Sequence, residues 1–205
     1  MKTFALRATS AGLIAAAAIA FATLTPSATR IEAQAAPAAA VYEIDNVHTS
    51  VLFRVMHLNV APFWGRFNQI SGTVTWDDAN PAASSIDVAI DAASVDTNNE
   101  KRDQHLRNAD FFNASEFPTI TFKSKTIEAE GEKYKVTGPL TFNGTTKEVT
   151  AHFTKTGEGK DPWGGTRIGG EATFTIKRSD FGIKYMPDAL GDNVEVIVAI
   201  EGIKK

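Results

Sequence analysis

No cysteine occurs among the 205 residues. That absence excludes disulfides, thiolate metal ligands and a thiol-borne lipid anchor, so packing and hydrogen bonding must hold the fold. Basic residues are not in excess either. The 21 Lys and Arg are outnumbered by 24 Asp and Glu, with no basic stripe, which excludes the electrostatic footprint of a nucleic-acid binder. Beyond Leu24 no apolar run approaches the ~20 residues that a membrane-crossing helix needs. Helical periodicity is also scarce. What the chain has in quantity is alternation of apolar and polar residues.

The first 35 residues read as a secretory signal peptide. Lys2 and Arg7 form a basic head, Ala11 to Leu24 is apolar apart from Thr23, and Ala33-Gln34-Ala35 supplies the small-x-small cleavage pattern. Removing them leaves 170 residues with 18 basic and 23 acidic side chains. Residues 36–40 form a short Ala/Pro tether, and residues 41–205 form one domain, a size at which roughly 70% of the unfolded chain's surface can be buried.

From Val41 onward the period is two. Val51, Phe53, Val55 and His57 share one face, with Leu52, Arg54 and Met56 on the other. The same alternation carries Ile86 to Ile90, Tyr134 to Phe142, Val149 to Phe153, Ile168 to Ile176 and Val194 to Ile200. Asn143-Gly144 between two such runs predicts a type I′ hairpin, because both central residues need positive φ. The polar stretch Asn99 to Asn108 predicts one short helix capped by Asn98 or Asn99. Eight to nine sequential strands predict a sandwich or a closed barrel. Asp, Glu, Lys and Thr on the outer rows are the reverse of a membrane barrel's lipid face. Small residues at inward positions (Gly138, Ala151, Gly170 and Ala172) either leave an elongated apolar space or relieve crowding, and pattern alone does not separate the two.

Four blocks carry a family resemblance. Asp45-x-x-His48-Thr49-Ser50-Val51-x-Phe53-x-Val55-x-His57-Leu58 leads to Gly65-x-Phe67 and Gly72. Arg102-x-x-His105-Leu106-Arg107-x-x-Asp110-Phe111-Phe112 leads to Phe117-Pro118 and Phe122. Gly138-Pro139-Leu140-Thr141-x-x-Gly144-x-Thr146-Lys147 and Arg178-Ser179-Asp180-Phe181-Gly182 follow. In this order, from about Tyr42 to Lys204, the chain resembles the YceI-like family. The resemblance implies an extended lipocalin-like antiparallel β-barrel of about eight strands, with the short helix near one barrel end. It further implies export to the periplasm and binding of a polyisoprenoid or similar long-chain amphiphile, for transport, storage or stress response. It implies no cofactor and no agreed catalytic activity. A homodimer is compatible with this reading.

On that reading Phe53, Val55, His57, Val136, Leu140, Phe142, Ala172 and Phe174 form the wall of the ligand space, and Phe63, Phe111 and Phe112 stand near its entrance. Arg107 is the candidate for an anionic or carbonyl head group. His57 ends an apolar row, where it either meets a polar head group or bonds a neighbour as a core histidine. The competing expectation is a metal-assisted hydrolase or isomerase using His48, His57 and His105, although no His-x-x-x-His spacing pre-places ligands. A third is a ligand-free structural stress protein with a solid core.

Overall fold

Alternation places one row of each strand inside the barrel and the other in water. The structure, a computed structural model, describes residues 39–205. The signal peptide and the first three tether residues lie outside the described residues. In chain order the strands are β1 (Ala40–Ile44), β2 (Ser50–His57), β3 (Ala61–Phe67), β4 (Ile70–Trp76), β5 (Ser85–Asp91) and β6 (Val95–Asp96). The helix α1 (Glu100–Leu106) precedes β7 (Thr119–Lys123), β8 (Thr126–Glu130), β9 (Lys133–Phe142), β10 (Thr145–Lys160), β11 (Thr166–Lys177) and β12 (Leu190–Lys204). Ala40, assigned to the tether by sequence, already pairs with Trp76.

The sheet runs β1-β4-β5-β7-β9-β10-β11-β12, and β12 returns to β1 through Tyr42 opposite Lys204 and Ile44 opposite Gly202. This is a closed antiparallel barrel of eight positions. The other half of β12 pairs with β2, β2 with β3, and β3 with β6. Twelve segments fill eight positions because four staves are interrupted, between β1 and β2, β3 and β4, β5 and β6, and β7 and β8.

Each break is held by a short polar side chain that satisfies the backbone. Asp45 Oδ1 accepts from Val47 N, and Ser94 Oγ accepts from both Asn68 N and Gln69 N. Asp91 Oδ1 accepts from Ala93 N, and Ser124 Oγ from Ile86 N. Pro139 pairs with Glu148 in β10. Its other edge faces the break after Lys123, where no ladder pair forms, so the missing N–H leaves no partner stranded. Asn143 and Gly144 have φ of 47° and 70°, the hairpin their sequence predicts.

The barrel has two different ends. At the lower end Trp76 and Tyr134 meet edge to face at 4.8 Å, and Phe153 lies 5.4 Å from Trp76. Below them Lys155 Nζ bridges Asp78 and Glu158 at 2.8 and 3.0 Å, and Trp76 Nε1 donates to Asp78. Tyr42 is 1% exposed here. Burial first, and the Glu158 carboxylate second, push its hydroxyl up to about 12. The upper end is formed by the β2–β3 turn, α1 with the chain after it, and the segment 182–190.

The stave break at Asp45 is also an electrostatic junction. Arg167 Nη1 lies 2.7 Å from Asp45 Oδ2 and also bonds Glu201, while its Nε reaches Asp161 at 3.1 Å. His48 Nδ1 sits 2.8 Å from the same Asp45 oxygen. Hydrogen bonding from His48 and Arg167 lowers the Asp45 carboxyl to about 2. A carboxylate whose folded pKa is depressed stabilises above its unfolded value of ~3.9, and that contribution is lost as pH falls towards 2. Asp45→Asn is therefore expected to cost about 1 kcal/mol at pH 7 after solvent screening. Urea midpoints should show the variant and wild type converging between pH 4 and 2. Parallel pH curves would refute the assignment.

Candidate functional site

The inward rows do not meet across the barrel axis. They enclose a cavity of about 470 Å³, within the range usual for small-molecule sites. Ala172, Phe174, Val194, Val196 and Val198 stay half-buried on inward rows because their exposed area faces this cavity. Its floor is Phe153, the member of the lower aromatic cluster that lines the cavity. Its opening lies between His57 and Phe63 of the β2–β3 hairpin, Arg102 and His105 of α1, and Met186.

Eleven of the twelve residues singled out by sequence line this space: Phe53, Val55, His57, Phe63, Phe111, Phe112, Val136, Leu140, Phe142, Ala172 and Phe174. Phe112 sits deeper than an entrance residue. Its ring packs against Phe53, Phe67 and Phe142 at 6.1, 5.5 and 5.3 Å, so it belongs to the wall. Phe63 and Phe111 are at the mouth, Phe111 within 5.3 Å of Tyr185.

Arg107 is not on the cavity, which corrects its reading as a head-group ligand. Its Nε donates to Ala93 O at 2.8 Å, Nη2 reaches Val95 O, and Nη1 pairs with Glu100. The reason is helical geometry. Arg102, His105 and Leu106 share one face at i, i+3 and i+4, and that face meets the cavity. Asp103 and Arg107 share another, turned towards β6, where Asp103 accepts from Thr97 N and Thr97 Oγ1. Arg102 is thus the α1 arginine at the mouth. It donates to Thr97 Oγ1 and O at 2.8 and 2.7 Å and stacks 4.5 Å from the centre of the Phe63 ring. The i, i+3, i+4 spacing within Asn99 to Asn108 separates these two faces.

The small inward residues divide. A Cβ on Gly170 would lie 2.1 Å from the Phe153 ring, and one on Gly138 would lie 2.1 Å from Lys123 O. Those two glycines relieve crowding. Ala151 and Ala172 line the cavity.

The lining chemistry is one-sided. Among the described residues, His57, Arg102, His105 and Arg178 are its ionisable members, all at the upper end, and no Ser, Thr, Cys, Lys, Asp or Glu side chain lines the cavity. A nucleophile beside a base, which acyl- or group-transfer catalysis needs, is not assembled there. His105 Nε2 is engaged by Asp110 at 2.9 Å, with its ring edge-on to Phe111 and Tyr185. His48 lies in the turn before β2 and His57 ends that strand, whose length alone spans roughly 23 Å, so they cannot share a metal. Asp45, His48 and Glu201 do bring three ligand atoms within 4.8 Å. The Arg167 guanidinium already bonds both carboxylates there, and its fixed positive charge fits poorly with a cation. His152 is on an outer row, 3.2 Å from Glu130.

Comparison with known proteins agrees with this architecture. The family model of the YceI-like domain matches residues 42–202. A UPF0312 protein of Pseudomonas aeruginosa is 44% identical over 169 residues, 82% of this chain and 88% of that protein. Among solved structures, Burkholderia cenocepacia BcnA gives a TM-score of 0.71 at 28% identity, over 77% of this chain and 98% of that one. A polyisoprenoid binding domain from Saccharophagus degradans shares the fold at a TM-score of 0.59 and 16% identity, over 80% of this chain and 98% of that one. The match spans the barrel from its first strand to its last and includes every block that builds the cavity wall and mouth; the chain belongs to the YceI-like family.

Proposed function

We propose that this protein is an exported, non-catalytic carrier that holds a polyisoprenoid, or a long-chain amphiphile of similar shape, in its barrel. One observation carries the reading: a blind apolar cavity whose ionisable side chains are all gathered at its mouth. A chain in such a space gains affinity from apolar area alone, at ~25 cal/mol per Å² removed from water. A few polar groups at one end then fix which way the ligand lies. The similarity in fold to the Saccharophagus degradans domain supports the polyisoprenoid class. The basic head, apolar run and Ala33-Gln34-Ala35 support export, with a mature chain starting at Ala36 and a periplasmic location.

The test is mass spectrometry of protein recovered from the exported fraction of its native host. The intact chain should begin at Ala36. Organic extraction should release about one equivalent of a compound whose fragments are spaced by isoprene units. A clean extract would overturn the carrier reading, and an intact Met1 on membrane-bound material would overturn the export.

A further inference from the structure

Exposed apolar side chains are ordinary when scattered, but here four of the eight large ones among the described residues converge on the cavity mouth. Leu58 and Val60, at the tip of the β2–β3 hairpin, are 55% and 81% exposed. Tyr185 and Met186, on the facing segment 182–190, are 40% and 43% exposed. The two elements are tied together by Leu58 N donating to Ala189 O at 2.6 Å. The patch runs without interruption into the cavity, since Met186 belongs to both, and His57 and Phe63 line the opening beside the tip.

Backbone geometry makes the outward apolar side chains more pointed. Leu58 and Met186 have φ of 54° and 50°, a left-handed conformation that asparagine or glycine adopts at far less cost. Asn59 beside Leu58 shares it. Backbone strain at a non-glycine residue persists only where the surroundings enforce it, and it concentrates at functional sites. By contrast Trp163, 82% exposed, stands on the β10–β11 turn at the far, closed end of the barrel.

Resting on the carrier reading, we infer that the mouth docks on a phospholipid bilayer, with Leu58, Val60, Tyr185 and Met186 inserted into the interface. A long isoprenoid has almost no concentration in water, so it reaches the cavity only along a continuous apolar path. A membrane laid against this rim supplies one, whereas a protein seated on it would cap the opening. Trp64 and Tyr185 fit the arrangement. Trp64 lies on the outer face three residues down β3 from the tip's end, under Arg54 at 5.9 Å, and amphipathic rings favour the headgroup level. Charge near the rim is mixed in sign, with Lys184 and Asp188 on the segment 182–190 and Arg102 and Asp110 on α1 and the chain after it. Insertion therefore requires no anionic lipid and resists salt, unlike polybasic attachment.

Delipidated full-length mature protein is floated with neutral phosphatidylcholine vesicles and compared with the Leu58→Asp/Val60→Asp double variant, neither residue being part of the cavity wall. Three readouts are taken: vesicle binding, the rate of extraction of a fluorescent polyprenyl lipid from the vesicles, and equilibrium binding of dispersed geranylgeraniol without vesicles. Wild type is expected to float at both 0.1 and 0.5 M salt. The variant should lose at least tenfold in vesicle binding and in extraction rate while retaining its geranylgeraniol affinity. Wild type that stays at the bottom of the gradient, or a variant that extracts as fast as wild type, overturns the docking. So does a patch that proves to join two copies, seen as a dimer that the variant splits while extraction is unchanged. Loss of geranylgeraniol binding in wild type itself would strike the carrier reading instead.

Discussion

Phenylalanine in place of Ala172 is expected to weaken isoprenoid binding at least tenfold, about 1.4 kcal/mol, while leaving the ligand-free protein almost as stable as wild type. Ala172 lies mid-strand between Phe153 on β10 and Val198 on β12. The Phe153 ring is turned onto Gly170, so the space above Ala172 is cavity. In a filled core an added ring forces strained rotamers and backbone shifts worth ~1–3 kcal/mol; here it enters volume that a ligand chain would occupy. The control is a smaller change two residues away. Gly170→Ala adds a single carbon, yet places it 2.1 Å from the Phe153 ring, and should cost ~1–3 kcal/mol. Urea denaturation of both ligand-free variants, with a binding titration on each, decides the matter. If Ala172→Phe proves the more destabilising, the barrel interior is filled and the carrier reading fails with it.

That contrast also marks how far the sequence could be read. Period-two alternation located the staves, and Asn143-Gly144 located one hairpin, because both signals depend on residues adjacent in sequence. The four breaks were invisible to the same reasoning. Asp45, Ser94, Asp91 and Ser124 look like ordinary outer-row polar residues until their side chains turn to the backbone. Eight positions in the barrel thus appear as twelve segments. Gly170 and Ala172 stand two apart on one row and looked equivalent; their difference rests on which way the Phe153 ring turns, a fact of tertiary packing.

The site divides along the same line. Apolar wall residues followed from the inward rows, so Phe53, Val55, Val136, Leu140, Phe142, Ala172 and Phe174 all face the cavity. The rows of β5 and β12 (Ile86, Val88 and Ile90; Val194, Val196 and Val198) line it too, and were equally legible as strands. What failed was choosing among arginines. Arg102 and Arg107 are alike in composition, and the helix turns them to different partners. Arg178 was visible only as part of a matched block, since nothing near it in sequence says what it holds.

What Arg178 holds sets the largest stability effect expected in this protein. Arg178 is 7% exposed, and its guanidinium has no carboxylate within ion-pair distance among the described residues. It donates instead to carbonyls: Gly191 O at 3.0 Å from Nε, Ile183 O and Tyr185 O at 3.2 and 2.8 Å from Nη1, Met186 O and Leu190 O at 3.4 and 3.0 Å from Nη2. Five carbonyls from both legs of the segment 183–191 converge on one planar fork, and that segment carries Met186 at the cavity mouth. Hydrogen bonds to a charged group are worth ~1.5–3 kcal/mol each but do not add fully, so Arg178→Met should cost about 3–5 kcal/mol. At ~2–4 °C per kcal/mol for a domain of this size, the melting temperature should fall by roughly 10 °C or more. Arg178→Lys keeps the charge, but its three donors on a single nitrogen cannot span the fork, and about half of that loss should remain. Amide exchange gives the local readout. Ile183 N, Ala189 N and Leu190 N, bonded to Arg178 O and Met186 O, should lose protection before the barrel strands do, as should Leu58 N, bonded to Ala189 O. A melting temperature unchanged in Arg178→Met, with those amides still protected, would mean the segment is held by its own turn and by Ile183 and Leu190 packed beneath it. The mouth would then be an independent element rather than one pinned to the end of β11.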